Sequence, residues 1–433
     1  MRADVYFFLN RITLAFLLVI LFGCGGGGGT GSTAASTPVP LQQSPGTYTP
    51  PSHHFAIPPV PVVANTTGYA SSLSPSDLLL HYGFPTSSPV APTSAIYQGT
   101  GQTIVIIDGP GLSTATINSD LAIFNAQYNL PNCNLQVIDQ SNGSQSYSGY
   151  QETALDVQWA HAIAPAAKIV LIVTPDNYLT SVMTALQTAV QVPNVTVVSM
   201  SFGATEFSDE TSSAYDGFFS RYPGIAFVAS SGDNGGGTRG QNYPAASPYV
   251  TAVGGTTITS LVTPSANSSS ETSWSYGGGG PSVFELMPAY QINYMNANHD
   301  SVLIANNGKR AVPDVAYNAD PQASPVGVVI NGQWTFFGGT SSGAPQWAGI
   351  LAGLSQYLSA NGYNFSTLLS QANGLNTILY KLAINKPNSF YNVATGSDGN
   401  CSLCYATVGY NDVTGLGVPI VSNLYANFAN YAH

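Results

Sequence analysis

Hydrophobic and polar positions alternate in blocks along the first half of the chain. TIVIIDG (103–109) is an apolar run of strand length with no polar alternation, the pattern of a parallel strand buried on both faces. LQVID (135–139), KIVLIV (168–173), VTVVSMSFG (195–203), GIAFVASSGDNG (224–235) and YVTAVGG (249–255) repeat it, and helix-like segments near 114–126, 151–163, 179–191 and 209–221 fall between them. Strand, helix and strand in turn predict an α/β, doubly wound domain with a central, mostly parallel sheet flanked by helices. Such sheets carry their active loops at the carboxyl ends of the strands, where SFGATE and SGDNGGG both lie. SPSDLLLHYGFP (74–85) predicts a short helix capped by Ser74 or Ser76 and ending near Gly83 and Pro85. VGVVINGQWTFFGG (326–339) predicts a hairpin turning at Asn331-Gly332. Residues 256–335, glycine- and serine-rich with weaker periodicity, read as excursions from the sheet rather than as a separate domain.

The front of the chain has a different pattern. Arg2 and Arg11 precede an apolar run from Ile12 to Phe22, and Cys24 follows at once. This is an export signal over residues 1–24, and its LFGC ending is similar to a bacterial lipobox in which Cys24 would be lipidated. An uncleaved membrane anchor is the alternative. Either version tethers the protein through its N-terminus, with the Gly/Ser/Thr/Pro-rich residues 25–73 as a linker and 74–433 as the folded domain. The expected location is extracytoplasmic, secreted or lipid-anchored at a bacterial membrane.

Composition narrows the partners. Among 433 residues, 9 Lys and Arg stand against 20 Asp and Glu, a formal net charge of -11 that argues against nucleic acid and suits life in acid. A monomer is expected. Of the 4 cysteines, Cys401 and Cys404 in CSLC form the nearest candidate disulfide once Cys24 is set aside, which leaves Cys133 over. A CxxC metal or redox site lacks a second ligand pair; three free thiols remain an alternative.

In GGTSSGAPQWAG (338–349), Ser341 stands between a glycine turn and the start of a helix, where a nucleophile would be well placed. Of the 6 histidines, His53 and His54 lie in the linker and His433 is terminal. His161 and His299 have no motif around them that supports a Ser-His-Asp triad. Carboxylates offer a different base. Glu152 and Asp156 in YQETALDVQWAHAIAP are four residues apart, hence on one helical face, and are surrounded by apolar positions. Two acids held so close share a proton, so Glu152 can accept the Ser341 proton while Asp156 orients and supports it. Asp233 in SSGDNGG, if protonated, can donate to an oxyanion. The plainer readings are a solvated acidic helix face for the pair and a turn-forming Asp for Asp233. Asp108 in IIDGPG reads as a loop residue.

With ExxxDxxW at Glu152, Asp156 and Trp159, SSGDxG at Asp233, NYPAASPYVTAVGGT, ETSW before GGGG, KRAVPDVAYNAD and GGTSSGAPQWAG in this order, residues 74–429 resemble the sedolisin family of serine-carboxyl peptidases. The resemblance implies a subtilisin-like fold and an endopeptidase that works in acid on protein or peptide substrates. It makes Ser341 the nucleophile, Glu152 the base and later acid, Asp156 its supporting carboxylate and Asp233 the oxyanion partner. It also implies a substrate-binding edge at Ser199, Met200, Ser201, Phe202 and Gly203, with Ser231 and Gly232 opposite. The rival is a catalytically weak or inactive, tethered peptide-binding module. No cofactor is needed for the chemistry.

Two departures accompany the resemblance. The family's N-terminal prodomain has only linker-like sequence to match it in residues 25–73, so folding without such a chaperone, or control from elsewhere, is expected. The family's C-terminal calcium loop has aspartates where YNVATG and GYNDVTGLGVP place Asn392 and Asn411. With amides at both places and only backbone carbonyls such as those near Val393 and Gly409 beside them, calcium is expected to bind weakly or not at all. Asp398 and Asp412 are substitutes that do not match the motif, and the 401–404 bridge is expected to take over part of the ion's ordering role.

Overall fold

The computed structural model describes residues 72–86, 95–143, 147–236, 241–262 and 270–431. The export segment with Cys24, nearly all of the linker, and His433 lie outside the described residues. Seven parallel strands run side by side in the order 315–318, 251–258, 226–230, 195–200, 103–108, 168–173 and 134–139. Glu271–Ser273 adds an antiparallel strand to Thr251–Ile258.

Alternate residues of one strand feed opposite faces. In Thr103–Asp108, Ile104 and Ile106 enter one buried cluster with Trp159, Ile163 and Ile350, while Val105 and Ile107 enter another with Val182 and Leu186. Helices Tyr147–Ile163 and Thr340–Ala360 cover the first face, and Leu179–Ala189 the second. This explains the unbroken apolar runs, since both faces of each inner strand are covered. The edge strand Asn134–Asp139 is instead partly exposed along its length.

Local signals behave as their chemistry requires. Ser74, not Ser76, caps Pro75–His81, and Asp77 returns the bond to complete a capping box. Asn331 and Gly332 take positive φ of 51° and 73°, the left-handed pair that a two-residue hairpin between Val326–Ile330 and Gln333–Phe337 needs.

Several expectations change. Leu73 is buried and its N–H donates to Pro325 O, so the fold begins inside the stretch assigned to the linker. The helix expected over 209–221 shrinks to Asp216–Phe219, because the Ser- and Thr-rich approach forms turns and the Glu210 carboxylate takes the Phe207 N–H. Residues 256–335 are not only excursions, because Val315–Asn318 returns as a strand of the main sheet.

Cys401 and Cys404 form the expected bridge, and Cys133 is free. His161 is buried with Nε2 on Pro131 O at 2.9 Å, and His299 closes the helix 289–298 in the left-handed region; His81 is a buried partner of Glu271 at 2.7 Å. Among the described residues, no helix is long and apolar enough to cross a membrane.

Candidate active site

Three neighbouring strands end at one place. Strand 103–108 ends in Asp108, strand 195–200 runs into Ser201, and strand 226–230 runs into Ser231, Gly232 and Asp233. Over these carboxyl ends lie the helix bearing Glu152 and Asp156 and the first turn of the helix bearing Ser341. The two helices approach closely: a Cβ on Gly349 would stand 2.7 Å from Ile163 Cβ. The carboxylate helix is held from its other side by the hairpin, with Trp159 Nε1 donating to Gly327 O at 3.0 Å. Gln158 clasps the Val329 carbonyl and N–H at 2.7 and 2.9 Å. Spacing in ExxxDxxW thus separates tasks: Glu152 and Asp156 face the site, while Trp159 anchors the helix behind them.

Gly339, at φ 91°, turns the chain from the hairpin into the helix Thr340–Ala360, in whose first turn Ser341 is buried. Pro345 lies four residues on, without an N–H to offer the Ser341 carbonyl. Ser201 Oγ donates to that carbonyl instead, at 3.3 Å. The Ser341 hydroxyl lies beside the Glu152 carboxylate and favours its charged form, opposing the burial that pushes Glu152 well above the usual carboxylate range, while its own hydrogen bond runs to Ser201 O at 3.5 Å.

Behind Glu152 the carboxylates crowd. Burial, then the charges of Asp108 and Glu152, drive Asp156 well up. Neither of its oxygens lies within hydrogen-bonding distance of a donor, and the Ser201 hydroxyl, committed to Ser341 O, eases its charge from slightly farther off. Asp108 is not a loop residue: it is the buried last residue of its strand, pushed by burial to about 7. Its charge in turn raises both Glu152 and Asp156. Sequence reasoning passed over it for want of a motif. The available signal was its position, the carboxyl end of the strand from which the chain winds both ways.

Across the site, Asp233 Oδ1 accepts the Thr340 N–H at 2.8 Å and the Thr340 hydroxyl at 2.7 Å. Burial still raises its pKa, so acid keeps it neutral and able to donate. Thr340 Oγ1 also accepts the Gly232 N–H at 3.0 Å, tying the loop of Asp233 to the residue preceding Ser341.

The expected substrate edge is shorter than 199–203. Ser199 and Met200 are buried and paired on both sides, with Ile106 and Ile107 of one strand and Val228 and Ala229 of the other, so neither can receive an added strand. Ser201, Phe202 and Gly203 lie beyond the pairing, whereas on the neighbouring strand the Ser231 N–H donates to Val253 O at 3.0 Å and Gly232 O accepts the Gly278 N–H at 2.6 Å, so the backbone of Ser231 and Gly232 is already engaged. Asn242 spans between these two walls: its Nδ2 donates to Ser231 O at 3.1 Å, and a Cβ on Gly203 would stand 2.7 Å from Asn242 Cβ.

Asn392, Val393, Gly409 and Asn411 come together away from these carboxylates. Asn392 Nδ2 donates to Gly409 O at 2.6 Å, while Asn411 Nδ2 lies 3.1 Å from Thr407 O and 3.3 Å from Val393 O. Asp412 accepts from Asn306 Nδ2 at 2.9 Å, and burial pushes Asp398 to about 7. Among the described residues, no three His, Cys, Asp or Glu side chains cluster as metal ligands would.

Comparison with known proteins follows the same lines. Residues 139–388 match the Subtilase family. Kumamolisin of Bacillus sp. (strain MN-32) is 34% identical over 293 residues, covering 62% of this chain and 49% of its own. Sedolisin of Pseudomonas sp. (strain 101) is 31% identical over 375 residues, covering 78% and 58% respectively. The chain therefore spans about half the length of these relatives. The solved structure of Pseudomonas sedolisin, a serine-carboxyl proteinase complexed with two molecules of pseudo-iodotyrostatin, superposes with a TM-score of 0.66 at 25% identity, covering 84% of this chain and 100% of that one. With the matched sheet, the paired carboxylates and the helix-borne serine all in place, the chain belongs to the subtilase family, in its sedolisin branch.

Proposed function

We propose that this protein is a serine-carboxyl endopeptidase that works in acid. The observation that carries the proposal is the placement of the Ser341 hydroxyl beside the buried Glu152 carboxylate, backed by two further buried carboxylates, while His81 and His161 are bonded elsewhere. Three acids so close do not ionise together, and the protons they keep belong to the group as a whole. The working form is the singly ionised cluster. When the negative charge rests on Glu152, that carboxylate takes the Ser341 proton as Oγ bonds to the substrate carbonyl carbon.

The new oxyanion meets the O–H of neutral Asp233 and the Ser341 N–H, which as part of the first helical turn has no intrahelical acceptor. Glu152 then returns the proton to the departing amine as the C–N bond breaks, leaving an ester on Ser341. Water, deprotonated by Glu152, attacks the ester carbonyl, and as the C–Oγ bond breaks Glu152 gives that proton to Ser341 Oγ, releasing the acid product and restoring both groups. Ser201, Phe202 and Gly203 would pair with the substrate backbone on one side, and Ser231 and Gly232, whose backbone groups are engaged within the fold, would only wall the other. Arg2, the apolar run and Cys24 support export and an N-terminal tether, and the substrates are unfolded proteins or peptides met outside the cytoplasm.

Hydrolysis of a denatured protein, followed from strongly acidic to mildly alkaline pH, tests this reading. Activity confined to acid and nearly abolished by Ser341→Ala and by Glu152→Gln is expected; a neutral optimum that depends on His161 would overturn it.

A further inference from the structure

We infer that Asn392 and Asn411 form an uncharged clamp that does the work of the family's calcium ion and excludes the ion from this chain. Calcium is held by oxygen atoms that turn their lone pairs inward, and its affinity grows with the number of charged ligands. Here the carbonyls available to an ion already receive N–H groups. Gly409 O takes Asn392 Nδ2, and Thr407 O and Val393 O share Asn411 Nδ2. The Thr414 hydroxyl lies 3.1 Å from Val393 O as well.

The orientation of the Asn411 amide follows from its neighbours. Its Oδ1 faces two backbone donors, Val413 N at 3.2 Å and Thr414 N at 2.9 Å. Turning the amide over would set N–H against N–H at those places and oxygen against oxygen at Val393 and Thr407. Asn392 is fixed in the same way, because its Oδ1 accepts Gly409 N at 3.1 Å while Nδ2 reaches Gly409 O. A cation entering this cradle would face amide hydrogens. The residues present do not fit calcium.

The clamp joins the chain at 392–393 to the turn 407–414, and from there its effect reaches the sheet. Leu416 N donates to Asp314 O at 2.8 Å and Ala316 N to Gly417 O at 3.0 Å, so the residues after the clamp line the outer strand 315–318. Ala316 O in turn accepts Trp347 Nε1 from the helix of Ser341, at 3.2 Å. In a carboxylate site protons compete with the ion and loosen it as pH falls. Amides do not titrate, so this brace holds unchanged in acid.

Stability and metal content test the clamp, and neither depends on peptidase activity, so this inference and the proposed reaction fail separately. Elemental analysis of the purified full chain should show no stoichiometric calcium, and its Tm should agree within about 1 °C in EDTA and in calcium chloride. The double variant Asn392→Asp with Asn411→Asp should lose about 5 °C or more in EDTA and regain stability with calcium at neutral pH but not in strong acid. Asn411→Ser, which keeps an acceptor but loses the two-hydrogen donor, should lower Tm whether or not calcium is present. Stoichiometric calcium in the unaltered protein, a Tm lowered by EDTA, or Asn411→Ser as stable as the parent would each overturn the inference.

Discussion

Ser201 and Ser341 are joined through the Ser341 backbone: the Ser201 hydroxyl donates at 3.3 Å to the Ser341 carbonyl, the group that Pro345 leaves without its helical donor. The same hydroxyl stands on the Asp156 side of the carboxylate group and eases its charge. One side chain at a strand end therefore positions Ser341 and eases the charge of Asp156.

Ser201→Ala should leave a buried carbonyl unpaired, at a cost of about 1–3 kcal/mol. Because the carbonyl belongs to Ser341, we expect kcat to fall about tenfold with KM little changed. Ser201→Thr, which keeps the hydroxyl, should recover most of the rate. Steady-state kinetics beside a thermal melt separates this from a general loss of folding, which would move only the melt.

Asp108 acts on its neighbours by charge. Since its carboxylate raises both Glu152 and Asp156, Asp108→Asn should lower the apparent pKa of the remaining pair. The acid limb of the pH–rate profile should then move to lower pH. An unmoved limb would place Asp108 outside the proton-sharing group.

Stability should fall as pH rises. Burial pushes Asp108 to about 7, Glu285 to about 8 and Glu210 to about 9, the last two further raised by Asp216 and Glu206 respectively among their neighbours. An acid whose folded pKa is raised contributes full stability below its unfolded value of about 4, and that contribution is lost as pH climbs through the folded value. The window therefore runs from about 4 to 9. Melting curves should show the highest Tm in acid and a continuous decline toward alkaline pH; a maximum at neutral pH would contradict the burial of these groups.

Arg310 and Asp314, in KRAVPDVAYNAD, form a fully buried pair at 2.6 Å, and Asp314 also accepts Ala252 N at 2.8 Å and the Tyr380 hydroxyl at 3.0 Å. Removing one charge strands the other. Arg310→Met should cost about 3–5 kcal/mol in denaturant unfolding, whereas the same substitution at exposed Arg221 should be nearly neutral.

The sequence by itself determined the layering, because strands covered on both faces must be apolar throughout and TIVIIDG and KIVLIV are. It also determined the hairpin, since Asn331-Gly332 tolerates positive φ, and the identity of Glu152, Asp156, Asp233 and Ser341 as candidates, since their spacing and motifs are local. The tertiary structure decided what no local pattern encodes. Asp108 joins the acids because strands distant in sequence end side by side. Ser199 and Met200 leave the substrate edge because neighbours on both sides take their backbone groups. Asn392 and Asn411 show a missing charge in the sequence; only their meeting with the carbonyls of Val393, Thr407 and Gly409 turns that loss into a brace, because hydrogen-bond direction belongs to the folded arrangement and not to the residue type.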